Sequence, residues 1–194
     1  MINKALPFYL EDRSGQYTGS DFDEIYDRLF LRVARPSPAQ SAHFPAESTL
    51  MVYNTGRRSS SQRHSRPPQR EPAVVLEFGP NGALGTVSFV QSGVSMPMGQ
   101  YLRKTSMFAG SLSRKFAAAN GEEYRWIHRA VKGHEWSCVD SRDYIVAHYS
   151  LKPPEKPAYN TSGNMLTIYE PFTHLALEIL TTLTIMRYLA ANKY

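Results

Sequence analysis

Cysteine is nearly missing from this chain of 194 residues: Cys138 stands alone, so no intramolecular disulfide can staple the fold. Chains that fold without disulfides suit a reducing compartment, and the cytoplasm is the expected address. The N-terminal stretch "MINKALPFYLEDRSG" lacks an apolar run of signal-peptide length and meets acids early. Without such a leader, Asn160 in its "NTS" pattern carries little meaning as a glycosylation acceptor. Metal-ligand spacing is absent too. The six histidines (His43, His64, His128, His134, His148 and His174) show no HxH, HxxxH or neighbouring CxxC pattern, so no metal and no cofactor is expected.

Long uncharged apolar runs are also lacking, and this decides how the greasiest stretch is read. "FTHLALEILTTLTIMRYLAANKY", residues 172–194, contains Glu178 and Arg187, which leave only "ILTTLTIM" uncharged between them. Each charge costs about 2.5–3.5 kcal/mol near a bilayer centre. A spanning helix also wants about twenty predominantly apolar residues. Apolar side chains nevertheless continue around the whole circumference, which marks a buried helix. The run predicts a helix inside the protein, with Thr181, Thr182 and Thr184 bonding back to helix carbonyls.

What is present supports a β-rich domain. A hydrophobic fraction of 42% suffices for a core. Strands are expected at "STLMVYNT" (48–55), "AVVLEF" (73–78), "ALGTVSFV" (83–90), "EYRWIHRAV" (123–131), "EWSCVD", "DYIVAHYSL" and "NMLTIYE". "GPNG" reads as a hairpin turn rather than a phosphate cradle, because it lies between strands. "SDFDEIYDRLFLRV" is ambiguous between helix and strand, and "PMGQYLRK" suits a turn of helix. Pro-rich residues 34–48, Arg-rich residues 57–70 and residues 152–164 read as loops and a connector. No internal repeat is visible. The whole chain, 1–194, is expected to form one domain carrying two of these loops as insertions.

Strands followed by one hydrophobic helix suggest a β-barrel with the helix threaded through it. The stretch "SRKFAAANGEEYRWIH", residues 113–128, resembles the motif of a large fungal family of unknown function, common in mushroom genomes. That motif is an Arg–x–Phe strand, a Gly-containing turn and a Tyr–x–Trp strand, matched here by Arg114, Phe116, Gly121, Tyr124 and Trp126. "MGQYLRK", "DYIVAHY" and "NMLTIYE" with the closing helix resemble its other segments. The resemblance covers residues 72–194 well and residues 1–55 poorly. The family in turn resembles the tubby C-terminal and phospholipid-scramblase superfamily. This likeness implies a closed antiparallel barrel around a buried C-terminal helix; function transfers weakly on such a scaffold. Some relatives bind phosphoinositides, and others are scramblases or have no known activity.

For chemistry, the net charge of +5 permits contact with phosphates. Arg103, Lys104, Arg114, Lys115, Arg125, Arg129 and Lys132 recur along a region of short strands and are the candidate residues for an anionic headgroup. Arg57, Arg58, Arg63, Arg66 and Arg70 form a basic loop that adds reach toward an anionic membrane. Phosphorylation at Ser59 or Ser60 would weaken that attraction. Tyr124 and Trp126 read as inward packing. His128, His134 and Cys138, with Asp140 or Asp143, are close enough in sequence to invite a Cys–His–Asp arrangement. Glu123, His128 and His134 invite acid–base chemistry. The expectation is a non-enzymatic intracellular binding module, peripheral to an anionic membrane, with a protein partner left open. Two alternatives stay open: a small enzyme with a His/acid site at the barrel rim, and nucleic-acid binding through the Arg-rich loop. The last lacks the interleaved aromatics that stack bases.

Overall fold

The computed structural model describes residues 6–56, 71–108, 110–152 and 162–192. The Arg-rich loop and most of the 152–164 connector therefore lie outside the described residues. Among the described residues, thirteen strands form one antiparallel sheet. In chain order they are β1 Phe8–Asp12, β2 Ser20–Glu24, β3 Phe30–Ala34, β4 Thr49–Gly56, β5 Val74–Glu77, β6 Thr86–Phe89 and β7 Val94–Pro97. After the four-residue helix α1, Met98–Tyr101, come β8 Arg103–Lys104, β9 Arg114–Ala117, β10 Glu123–His128, β11 Trp136–Val139, β12 Ile145–Ser150 and β13 Met165–Ile168. A 3-10 segment, Glu170–Leu175, leads into α2, Ala176–Ala191.

Neighbours in sequence are neighbours in space, with β1 closing on β13, so the order runs from β7 through β1 and β13 to β8. The expected closure of the sheet is not met by backbone pairing. Among the described residues no ladder joins β7 to β8, and α1 lies between them in the chain. The stretch "SDFDEIYDRLFLRV" resolves into the β2–β3 hairpin, with Asp27 at φ 58° in its turn. Between β5 and β6 the turn residues Asn81 and Gly82 both take positive φ. Just beyond, a Cβ on Gly85 would lie 2.0 Å from the Glu77 carbonyl oxygen, so only glycine fits this hairpin.

Residues 179–186 of α2 are buried without a break, which covers every face of the helix. Side chains from β1–β6 and β9–β13 join it in one hydrophobic cluster, so the sheet curls around the helix. Trp126 and Tyr124 face this core, as alternation requires. The Trp126 indole N–H donates to Thr182 Oγ1 at 2.9 Å. Thr182 and Thr184 donate to the carbonyls of Glu178 and Leu180, both at 2.8 Å; Thr181 Oγ1, by contrast, has no partner among the described residues.

Both charges in the helix are met by the ends of strands. Glu178 accepts the Ala119 N–H at 3.0 Å, although burial still lifts its carboxyl above the usual range. Arg187 reaches Asp12 Oδ2 at 3.1 Å and the Gly15 carbonyl, and its guanidinium lies 4.6 Å from the Tyr149 ring centre. Asp12 also accepts from Ser20 Oγ, from the Gly15 N–H at 2.8 Å and from Tyr149 OH at 2.7 Å. A charge that would be costly in lipid is here hydrogen-bonded inside protein. Among the described residues, no helix is long and apolar enough to cross a membrane.

Candidate functional site

The predicted cations separate once strand register is known. Pairing sets Arg103 opposite Lys115, and Lys115 opposite Arg125. Lys115 alternates with inward Arg114 and Phe116, and Arg125 with inward Tyr124 and Trp126. Arg103, Lys115 and Arg125 therefore form one outward cross-strand row over β8, β9 and β10. Cross-strand neighbours sit about 4.5–5.5 Å apart at Cβ, where like charges repel.

Two acids relieve that repulsion. Glu123, two residues before Arg125 on the same face, accepts from Arg103 at 2.6 Å and from Lys115 at 3.0 Å. Lys115's hydrogen bond, reinforced by Arg103, holds the Glu123 carboxyl below its ordinary value. Asp143 accepts from Arg125 at 2.6 Å. All these side chains are well exposed, so the pairs are open to exchange with other anions. Beside the row is a cleft of about 340 Å³, lined by Lys115 and Arg125 but also by Glu123, Asp140 and Asp143. With acids outnumbering cations, the cleft itself is not a phosphate pocket.

The remaining candidates lie elsewhere. Arg114 is 7% exposed and donates to the carbonyls of Ser111 at 2.9 Å and Ser113 at 3.1 Å. Burial lowers its pKa, and it does not join the outward row. Arg129, four residues past Arg125, holds Glu135 with two bonds of 2.8 and 2.9 Å. Lys132 is exposed in the turn beyond it. Lys104 lies opposite Arg114 at the base of the β8–β9 hairpin. The five arginines of residues 57–70 lie outside the described residues.

The histidines assemble differently from expectation. Cys138 faces the core, fully buried, and burial raises its thiol pKa, so no Cys–His–Asp arrangement forms. Asp140 accepts the N–H groups of Arg142 and Tyr144, both at 2.9 Å, and is committed to its turn. His128 bonds Glu135 at 3.1 Å, and its ring centre lies 4.5 Å from that of Trp136 with the planes tilted by 40°. Burial alone would raise the Glu135 carboxyl, but the bonds from Arg129 and His128 outweigh it and the pKa falls. His134 stacks on His148 with ring centres 3.8 Å apart. Burial, then the neighbouring ring, lowers His148 to about 4. His148 Nδ1 has no partner among the described residues, while His134 Nδ1 is 3.3 Å from Ser137 Oγ. Among the described residues, no group of three or more His, Cys, Asp or Glu side chains could hold a metal ion.

One feature escaped the sequence reading altogether. Met107 and Phe108, in the loop between β8 and β9, are 102% and 83% exposed. The available signal was the symmetry of "RKTSMFAGSLSRK", a basic dipeptide on each side of an apolar pair.

Comparison with known proteins leads to a family of unknown function. No curated protein matches the chain. The X-ray structure of a protein from Arabidopsis thaliana is similar at a TM-score of 0.48 and 11% identity, over 95% of this chain and 92% of that one. Residues 37–189 match the family of unknown function DUF6593, reaching well upstream of the region where the sequence resemblance was strong. The chain belongs to the DUF6593 family.

Proposed function

We propose that this protein is a non-enzymatic intracellular binding module that docks on anionic lipid surfaces through Arg103, Lys115 and Arg125. The observation that carries this reading is the outward cation row set by register. Its exposed ion pairs contribute little to stability, so anionic headgroups can take the place of Glu123 and Asp143 at small cost. Because the adjoining cleft is rich in acids, recognition is of a negative surface rather than of one stereospecific headgroup. On the same reading, the curled sheet with its enclosed helix is a barrel of the tubby type with α1 filling the gap between β7 and β8. The competing enzymatic reading would rest on His134, His148 and Ser137, but Ser137 is 1% exposed and sits mid-strand, out of reach of a substrate.

Sedimentation with phosphatidylcholine vesicles, with and without phosphatidylserine, tests the proposal. Association should need the anionic lipid and fall steeply from low to physiological salt, where charges are screened beyond about 8 Å. Replacing Arg103, Lys115 and Arg125 by glutamine should remove most of it. Binding unaffected by the triple replacement would move the weight to the Arg-rich loop.

A further inference from the structure

The β8–β9 loop holds the two most exposed large hydrophobic side chains among the described residues, Met107 and Phe108. Isolated apolar residues on a surface are ordinary, but here the backbone is fastened in a way that keeps both outside. The Thr105 N–H donates to the Ser113 carbonyl at 3.2 Å, and Thr105 Oγ1 to Ser113 Oγ at 2.7 Å. The Ser111 N–H donates to the Phe108 carbonyl at 3.1 Å, and the Phe108 N–H to Ser106 Oγ at 3.2 Å. From below, the buried Arg114 guanidinium binds the carbonyls of Ser111 and Ser113. Leu112 turns in to pack against the core. Among the described residues, the loop thus sorts three apolar side chains, one inward and two outward.

We propose that Met107 and Phe108 insert into the acyl boundary of an anionic bilayer while Arg103 and Lys115 remain among the headgroups. This rests on the anionic-surface reading above and adds an apolar contribution to it. Met107 lies three positions beyond Lys104, the end of β8, a reach of at most about 10 Å. Interfacial segments bury their apolar side chains about 5–10 Å into the headgroup and acyl boundary, so tip and cations fit the two layers together. Charge favours the same occupant, since the apolar pair is bracketed in sequence by outward Arg103 and Lys115, which lie opposite each other on β8 and β9. Patch size favours it as well. A stable protein interface needs about 800 Å² per partner, far more than two side chains offer, whereas a bilayer accepts side chains singly.

The two contributions differ in salt dependence, because screening weakens charge attraction but not apolar insertion. The test pairs Phe108→Trp with a Met107→Ser/Phe108→Ser double variant on the same vesicles. The native Trp126 and Trp136 are buried at 0% and 1% exposure, so the added indole reports the tip. Its emission should shift to the blue on vesicles and be quenched by brominated acyl chains. The double variant should keep its thermal midpoint yet bind about tenfold or more weakly at physiological salt, the factor set by about 1.4 kcal/mol. Vesicle binding with unmoved Trp emission and an undiminished double variant overturns insertion and leaves the electrostatic reading standing. No vesicle binding by the unaltered protein at any salt overturns both. Self-association lost in the double variant, without a vesicle response, overturns the bilayer in favour of a second copy of this chain.

Discussion

Arg187 reaches Asp12 at 3.1 Å with side chains 11% and 0% exposed, whereas Arg125 reaches Asp143 at 2.6 Å with side chains 41% and 75% exposed. The shorter contact is the weaker contributor. Water screens Arg125 and solvates either partner alone, so breaking the pair costs little. Arg187 and Asp12 have given up that solvation, and each depends on the other and on Tyr149, Ser20 and Gly15. The buried pair belongs to the architecture. On the proposed reading the exposed row can serve a ligand, because exposed ion pairs contribute little to stability.

The largest effect that would break this comparison is at the buried end. Asp12→Ala strands Arg187 and unpairs Tyr149, and should cost about 3–5 kcal/mol, a large share of an ordinary domain's stability. Thermal unfolding measures it, and an unchanged midpoint would mean that the pair is solvated after all. Leu183→Asp should be comparably damaging, by placing an unpaired carboxylate on a helix with no exposed face over residues 179–186. Insoluble expression or a collapsed midpoint is expected.

An intermediate effect comes from His148. Its folded pKa of about 4 lies below the ordinary 6.5, so between those values the unfolded chain binds more protons. Stability from this group is complete above about pH 6.5 and is lost as pH falls toward 4. One proton gives a slope of at most about 1.4 kcal/mol per pH unit. His148→Gln should flatten that part of the stability curve, which denaturant melts at several pH values would reveal. The smallest effect on stability is expected for Arg125→Gln: a nearly unchanged midpoint beside weakened vesicle binding.

Much of this was legible in the sequence, and the failures have physical causes. Glu178 and Arg187 argued correctly that the C-terminal helix is enclosed by protein, because a charge needs partners wherever it is buried. The hairpin around "GPNG" and strands β4–β6 and β10–β13 followed from turn residues and alternation, whereas β7 and β8 were not expected and β9 came only with the family resemblance. β1 was missed: Glu11 and Asp12 look like surface acids, and the groups that donate to them lie far along the chain, at Ser162 and Arg187. Arg114 was grouped with the outward cations although it shares parity with Phe116; alternation alone would have turned it inward. Which cations share a row depends on pairing register, which no local pattern prints. The same holds for His134 on His148, since the latter reaches the site by lying opposite Ser137.

The central claim is that the outward row, and not the buried arginines, binds an anionic surface. Its most direct test is sedimentation of the Arg103→Gln/Lys115→Gln/Arg125→Gln protein with phosphatidylserine-containing vesicles at low salt, beside the unaltered protein. The predicted result is a folded triple variant with an unshifted thermal midpoint and most of its vesicle association gone. A folded triple variant that sediments as fully as the unaltered protein would contradict it.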